Sequence, residues 1–164
     1  MAKNAKSSQA ALDDIDRRLL LALQQDGRLT VAELAEKVGL SASPCHRRVK
    51  LLEDRGIIER YVAVINQRSV RLPVSVFVSI KLESQREDAL AKFAKAIAPW
   101  PEILECYLMT GPRDYLLRVV VADLAAYEKF LKTKLTRLAG ISSIESSFAL
   151  EQVKYTNRLP LELV

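Results

Sequence analysis

Between Thr30 and Gly56 the apolar residues recur at helical spacing, halt at Gly39, and recur again within a dozen residues. Only two short helices joined by a tight turn satisfy that pattern. Thr30 with Glu33 three residues later forms a capping box for the first of them, and Val31, Leu34, Ala35 and Val38 make its buried stripe. Gly39 stands where a left-handed residue is needed to stop a helix. The second helix starts at Ser41 or Ser43, and Pro44 supports the later cap, because proline suits the first helical position. At 100° per residue Cys45, Val49 and Leu52 share one face, with Ser43, Arg47 and Lys50 opposite and His46, Arg48 and Leu51 on the flanks. A preceding helix begins at Asp13 or Asp14, carries Ile15, Leu19, Ala22 and Leu23 inward, and ends at Asp26-Gly27.

Beyond Gly56 the rhythm changes. Ile57 to Asn66 is rich in β-branched and aromatic residues and reads as a short wing-like strand, and Pro73 closes a polar linker. Val74 to Glu83 alternates with Val74, Val76, Val78, Ile80 and Leu82 on one face. Ser84 and Glu87 form a second capping box, ahead of a helix carrying Leu90, Phe93 and Ile97. Strands over 103–110 and 115–121 flank the turn Gly111-Pro-Arg-Asp114. Asp123 caps a helix with Leu124, Tyr127, Leu131 and Leu135 inward, and the last strand spans 141–153. The order β-α-β-β-α-β is the ferredoxin-like arrangement. The fold class is therefore α+β: an N-terminal winged helix-turn-helix, then a ferredoxin-like βαββαβ domain. The expected boundaries are a flexible tail over 1–12, the winged domain over 13–60, a linker strand over 61–73, the second domain over 74–153 and a C-terminal tail over 154–164. The other face of the first strand carries Ser75, Phe77, Ser79 and Lys81, too mixed for a core or a solvated surface, so a homodimer paired through its sheets is expected.

Charge and cysteine content narrow the function. Lys and Arg number 25 against 20 acids, and the count is 11 against 9 up to Arg60 and 14 against 11 after it. Gross charge thus does not single out the N-terminal part, and local pattern must carry any nucleic-acid assignment. Cys45 and Cys106 give neither a zinc pattern nor a disulfide framework and read as small core residues. No run is long enough to span a membrane, no secretory leader opens the chain, and a cytoplasmic protein without membrane partners or cofactors is expected. No phosphate-loop, zinc or nucleophile–base motif points to an enzyme; His46 beside Cys45 cannot form a dyad, since helix neighbours diverge by about 100°.

The run from Leu40 to Leu52 contains no acid, and its outward cations suit double-stranded DNA. Arg47 can bridge two guanine acceptors, Lys50 offers a point charge, and Ser41 and Ser43 lie where free N–H groups favour phosphate. Pro44, His46 and Arg48 complete the expected contact set.

These segments resemble the Lrp/AsnC family, also called leucine-responsive or feast/famine regulators. The resemblance runs from Asp14-Ile-Asp-Arg-Arg-Leu-Leu through Val38-Gly-Leu-Ser, Ser43-Pro-Cys and Arg47-Arg-Val-Lys-Leu-Leu-Glu to Gly111-Pro-Arg-Asp-Tyr and Val153-Lys-Tyr-Thr-Asn-Arg. It implies a transcription regulator that senses an amino acid or related metabolite, controls amino-acid metabolism or transport, associates with the nucleoid, and pairs into dimers that assemble to octamers. It also places the effector near the Gly-x-x-Asp-Tyr turn, among Tyr107, Met109, Thr110, Gly111, Asp114, Tyr115 and Leu117. Backbone N–H groups of a glycine turn can bind a carboxylate, Asp114 can bind an ammonium, and Tyr107, Met109 and Leu117 can wall a side chain. Asp114 could equally serve only the turn backbone, a common task for aspartate. A ligand-independent architectural DNA-binding protein is the alternative.

Overall fold

The computed structural model describes residues 12–163, so the tail expected over 1–12 lies, apart from Leu12, outside the described residues. Two compact units form: the described residues of Met1–Val64 with those of Lys154–Val164, and Ile65–Val153.

The first unit is three helices, α1 Asp14–Gln25, α2 Val31–Val38 and α3 Ala42–Asp54. Asp13 caps α1 by accepting the Asp16 N–H at 2.8 Å, and Thr30 and Glu33 close the capping box on α2. Gly39 adopts φ 72°, a conformation costly for a residue with a Cβ, and turns the chain into α3. The α3 cap is Ser41 rather than Ser43, which places Pro44 in the third helical position, still within the turn whose N–H groups lack intrahelical partners. Leu19, Leu20, Leu34, Ala35, Val38, Cys45 and Leu52 form the core, and non-directional apolar burial holds it together.

No strand forms over 57–73. Val62, Val64 and Ile65 are exposed, and β-branched residues become a strand only where a second strand completes the hydrogen-bond ladder. The linker instead tightens into a turn in which Asn66 Oδ1 accepts the Ser69 N–H and the Gln67 carbonyl accepts the Leu72 N–H. The C-terminal segment is more than a tail: the Gln24 amide pairs with both main-chain polar groups of Leu159, and Leu161 packs on the three-helix core.

The second unit is a four-stranded antiparallel sheet in the order β2-β3-β1-β4, formed by β1 Val74–Leu82, β2 Ile103–Leu108, β3 Tyr115–Val121 and β4 Ile141–Phe148. Helices α4 Glu87–Ile97 and α5 Leu124–Thr133 supply Phe93, Ile97, Tyr127 and Phe130 to its core. The period of two puts Val76, Val78 and Ile80 into that core and leaves Phe77 on the open face.

Four local expectations change. Helix α4 begins at Glu87 behind Arg86, so Ser84 and Glu87 make no capping box; Ser84 Oγ accepts the Arg86 N–H instead. Leu124 is exposed, because it stands on the first turn of α5 before the helix meets the core. Cys106 is exposed because β2 is an edge strand, whereas Cys45 is buried. The last strand stops at Phe148, where its pairing with β1 ends opposite Val76.

Candidate nucleic-acid interface and effector turn

Burial of Cys45 and Leu52 sets the roll of α3 and leaves Ser43, His46, Arg47 and Lys50 exposed along one stripe at i, i+3, i+4 and i+7. None of these four side chains has a hydrogen bond or ion pair among the described residues. The first turn holds no acid, and the Ser41 hydroxyl makes no cap bond. Unsatisfied N–H groups, the positive helix end and open hydroxyls therefore coincide, which suits an anion. Pro44 is half-buried and serves the turn.

Arg48, also expected among the DNA contacts, is ion-paired within the fold. Its Nη1 lies 2.6 Å from Asp13 Oδ2 and 2.8 Å from Asp16 Oδ1, so the guanidinium faces α1. The Asp16 backbone N–H, followed by Arg48, holds the Asp13 carboxyl below its usual range.

Tyr61, beyond α3, donates its O–H to Glu53 Oε1 at 3.0 Å. Burial, then the hydrogen bond and charge of Glu53, pushes this phenol up to about 12. The folded value exceeds the unfolded one, so this contribution to stability is complete below pH ~10 and fades as pH rises toward 12. In a spectrophotometric titration, Glu53→Gln should bring the Tyr61 ionisation step down from about 12. A step that stays put would rule out the contact.

In the second unit the β2–β3 turn is closed by the Met109 N–H donating to the Asp114 carbonyl at 2.8 Å. Gly111 lies at φ 105°, a conformation that favours glycine. Tyr107, Met109, Thr110 and Gly111 are exposed, while Asp114, Tyr115 and Leu117 are buried. Strand alternation separates these sets: Leu117 pairs with Val78 in the core, whereas Tyr107 sits opposite Leu116 on the open face. Leu117 therefore cannot wall a ligand beside Tyr107. Tyr115 stacks on Phe93 at 4.6 Å and donates its O–H to the Leu90 carbonyl at 3.0 Å, which commits it to α4. Asp114 is 4 % exposed; Oδ2 accepts the Leu82 N–H and Oδ1 the Gln85 amide, each at 2.7 Å. Its carboxylate is thus occupied in joining the turn to the end of β1.

Some residues around this turn were not legible in sequence. Gln85, which the expected capping box would put at the start of the helix, is the partner of Asp114 across 29 positions. Arg113 grips Glu145 and donates to Ser143 Oγ at 2.8 Å, and Arg118 pairs with Glu105 at 2.7 Å. Alternation from Tyr115 could have placed Arg118 on the open face; its acid lies on another strand and had no local signal.

Family models match both units in chain order. A winged helix-turn-helix DNA-binding model matches residues 12–59, and the Lrp/AsnC ligand binding domain matches residues 75–159. The Bkd operon transcriptional regulator of Pseudomonas aeruginosa is 47% identical over 93% of this chain and 99% of its own. The leucine-responsive regulatory protein of Escherichia coli is 40% identical over 99% of both chains. A Neisseria meningitidis transcriptional regulator solved as its L-Met complex has 41% identity and a TM-score of 0.89, covering 94% of this chain and all of that one. No described helix is long and apolar enough to cross a membrane. With a helix-turn-helix unit preceding a four-stranded ligand-binding unit, and relatives matched over nearly their full length, the chain belongs to the Lrp/AsnC family of transcriptional regulators.

Proposed function

We propose that this regulator reads double-stranded DNA with α3 and responds to an amino acid bound at the β2–β3 turn, controlling amino-acid metabolism or transport in the cytoplasm. The observation that carries the DNA reading is the exposed Ser43–His46–Arg47–Lys50 stripe, whose side chains have no partner among the described residues. Arg47 reads a base, Lys50 and His46 supply flank contacts, and Ser41 and Ser43 hold phosphate at the helix start. Pro44 shapes the turn.

For the effector, the turn backbone around Gly111 binds the carboxylate, and Tyr107, Met109 and Thr110 form the exposed contacts. Asp114, Tyr115 and Leu117 hold this surface from behind. The L-Met complex of the Neisseria relative supports an amino-acid ligand. Two copies pair through the open sheet face around Phe77, and such dimers assemble further, to octamers. Pairing brings two reading helices to one operator, which a single stripe of few cations needs for firm binding.

In a gel-shift titration, Arg47→Ala should weaken specific binding by about 1–3 kcal/mol while unrelated DNA is held nearly as before. Adding amino acids one at a time should shift the wild-type curve for at least one of them. Unchanged binding by Arg47→Ala removes α3 as the reading helix, and a curve that no amino acid moves removes the effector assignment.

A further inference from the structure

We propose that Arg48 is a positioning residue, which locks the rotation and slide of the reading helix by clamping α3 to the first turn of α1. The clamp joins three side chains. Arg48 Nη1 reaches Asp13 Oδ2 at 2.6 Å and Asp16 Oδ1 at 2.8 Å. Asp13 Oδ1 meanwhile accepts the Asp16 N–H at 2.8 Å, so the residue that caps α1 also grips α3. The Asp16 side chain is only 12% exposed and that of Arg48 30%, so water screens the pair of them less than it would a surface ion pair.

Its value lies in direction. Elsewhere α3 meets α1 through apolar side chains such as Leu19, Leu20 and Leu52. Burial of that kind rewards contact and specifies angle weakly, whereas a charge-assisted hydrogen bond has a fixed length and approach. Arg48 follows Arg47 directly, so holding Arg48 against α1 fixes where Arg47 points, about 100° around the helix. Base-edge contacts demand that register. Phosphate contacts, made by flexible side chains to a regular backbone, tolerate a small roll. Two carboxylates also offset the Arg48 charge, so it adds little to general attraction for DNA. The clamp rests on the reading of α3 as the DNA-reading helix.

The test uses the full chain, a duplex selected by the wild-type protein from a random pool, and an unrelated duplex of equal length, over a salt series. Arg48→Gln should cut the ratio of selected to unrelated binding roughly tenfold while the salt dependence keeps its slope. Asp16→Asn should lower the ratio too, although removing an acid would by charge alone strengthen binding to any DNA. Asp13→Asn, which keeps a good helix cap at a half-exposed position, carries the same expectation if Asp16→Asn fails to fold. Equal loss on both duplexes in Arg48→Gln, with the slope shallower by about one phosphate, would overturn the clamp and make Arg48 a backbone contact. Tighter binding of both duplexes by the Asp→Asn variants, at an unchanged ratio, would overturn it as well. Arg47→Ala in the same assay separates the two readings. An unchanged ratio there overturns the reading helix itself; a collapsed ratio there, with Arg48→Gln like wild type, overturns only the clamp.

Discussion

Asp114→Ala should destabilise the second unit by roughly 1–3 kcal/mol, because it strands the buried Leu82 N–H. The Leu82 N–H loses its 2.7 Å acceptor and the Gln85 amide loses another, at a site that is 4 % exposed. The Leu82 N–H is buried and has no solvent to replace the carboxylate, so its cost is that of an orphaned group, whereas the exposed Gln85 amide exchanges its bond for one to water. Asp114→Asn keeps one carbonyl acceptor and should lose about half as much. The single tryptophan, Trp100, packs edge-on against Phe130 at 5.9 Å inside this unit, so its fluorescence during urea unfolding reports the change directly. An unmoved Trp100 midpoint in Asp114→Ala, together with a lost effector response, would reverse this assignment and make Asp114 a ligand contact. The same assay thus decides between two roles that sequence left level.

Leu52→Ala should cost the DNA-binding unit about 2–5 kcal/mol, through lost transfer energy and the cavity left behind. Leu52 is fully buried on the face of α3 that it shares with Cys45, in one core with Leu19 and Leu34. Its carbonyl also accepts the N–H groups of Ile57 and Ile58, at 2.9 and 3.2 Å, where the chain leaves α3. Loss of the side chain therefore loosens both the seat of α3 and its exit. Helical circular dichroism should melt earlier, and DNA binding should fall with the folded fraction. The Trp100 transition should hardly move, since that residue lies in the other hydrophobic cluster. A helical midpoint that does not shift would mean that Leu52 does not anchor α3.

Much of this architecture follows from short-range spacing. The capping box at Thr30 and Glu33 and the left-handed Gly39 are satisfied by neighbours within a few residues, and the alternation of Val76, Val78 and Ile80 is a period that strand geometry imposes, so sequence displays all three. The same holds for the exposed stripe on α3, which helical periodicity dictates once Cys45 and Leu52 are buried. Expectations erred where a local motif met a distant competitor. Ser84 and Glu87 have the spacing of a capping box, yet the chain between them is drawn off by the Gln85–Asp114 bond and the helix starts later. Residues 57–66 have strand composition but no ladder partner, so composition alone could not make a strand.

The Gly111–Tyr115 turn draws the same line inside one motif. Gly111, Asp114 and Tyr115 are adjacent in the chain and suggest one site. Folding sends Gly111 to the surface and turns Asp114 and Tyr115 back to Leu82, Gln85 and Leu90. Arg47 and Arg48 likewise look interchangeable on paper, and only the approach of α1 gives one to solvent and the other to Asp13 and Asp16. Periodicity determines which residues can share a face, because it depends on backbone geometry that every chain obeys. Which exposed charge is left for DNA, and which is consumed in holding the fold, depends on contacts between segments dozens of residues apart, and tertiary packing decides it.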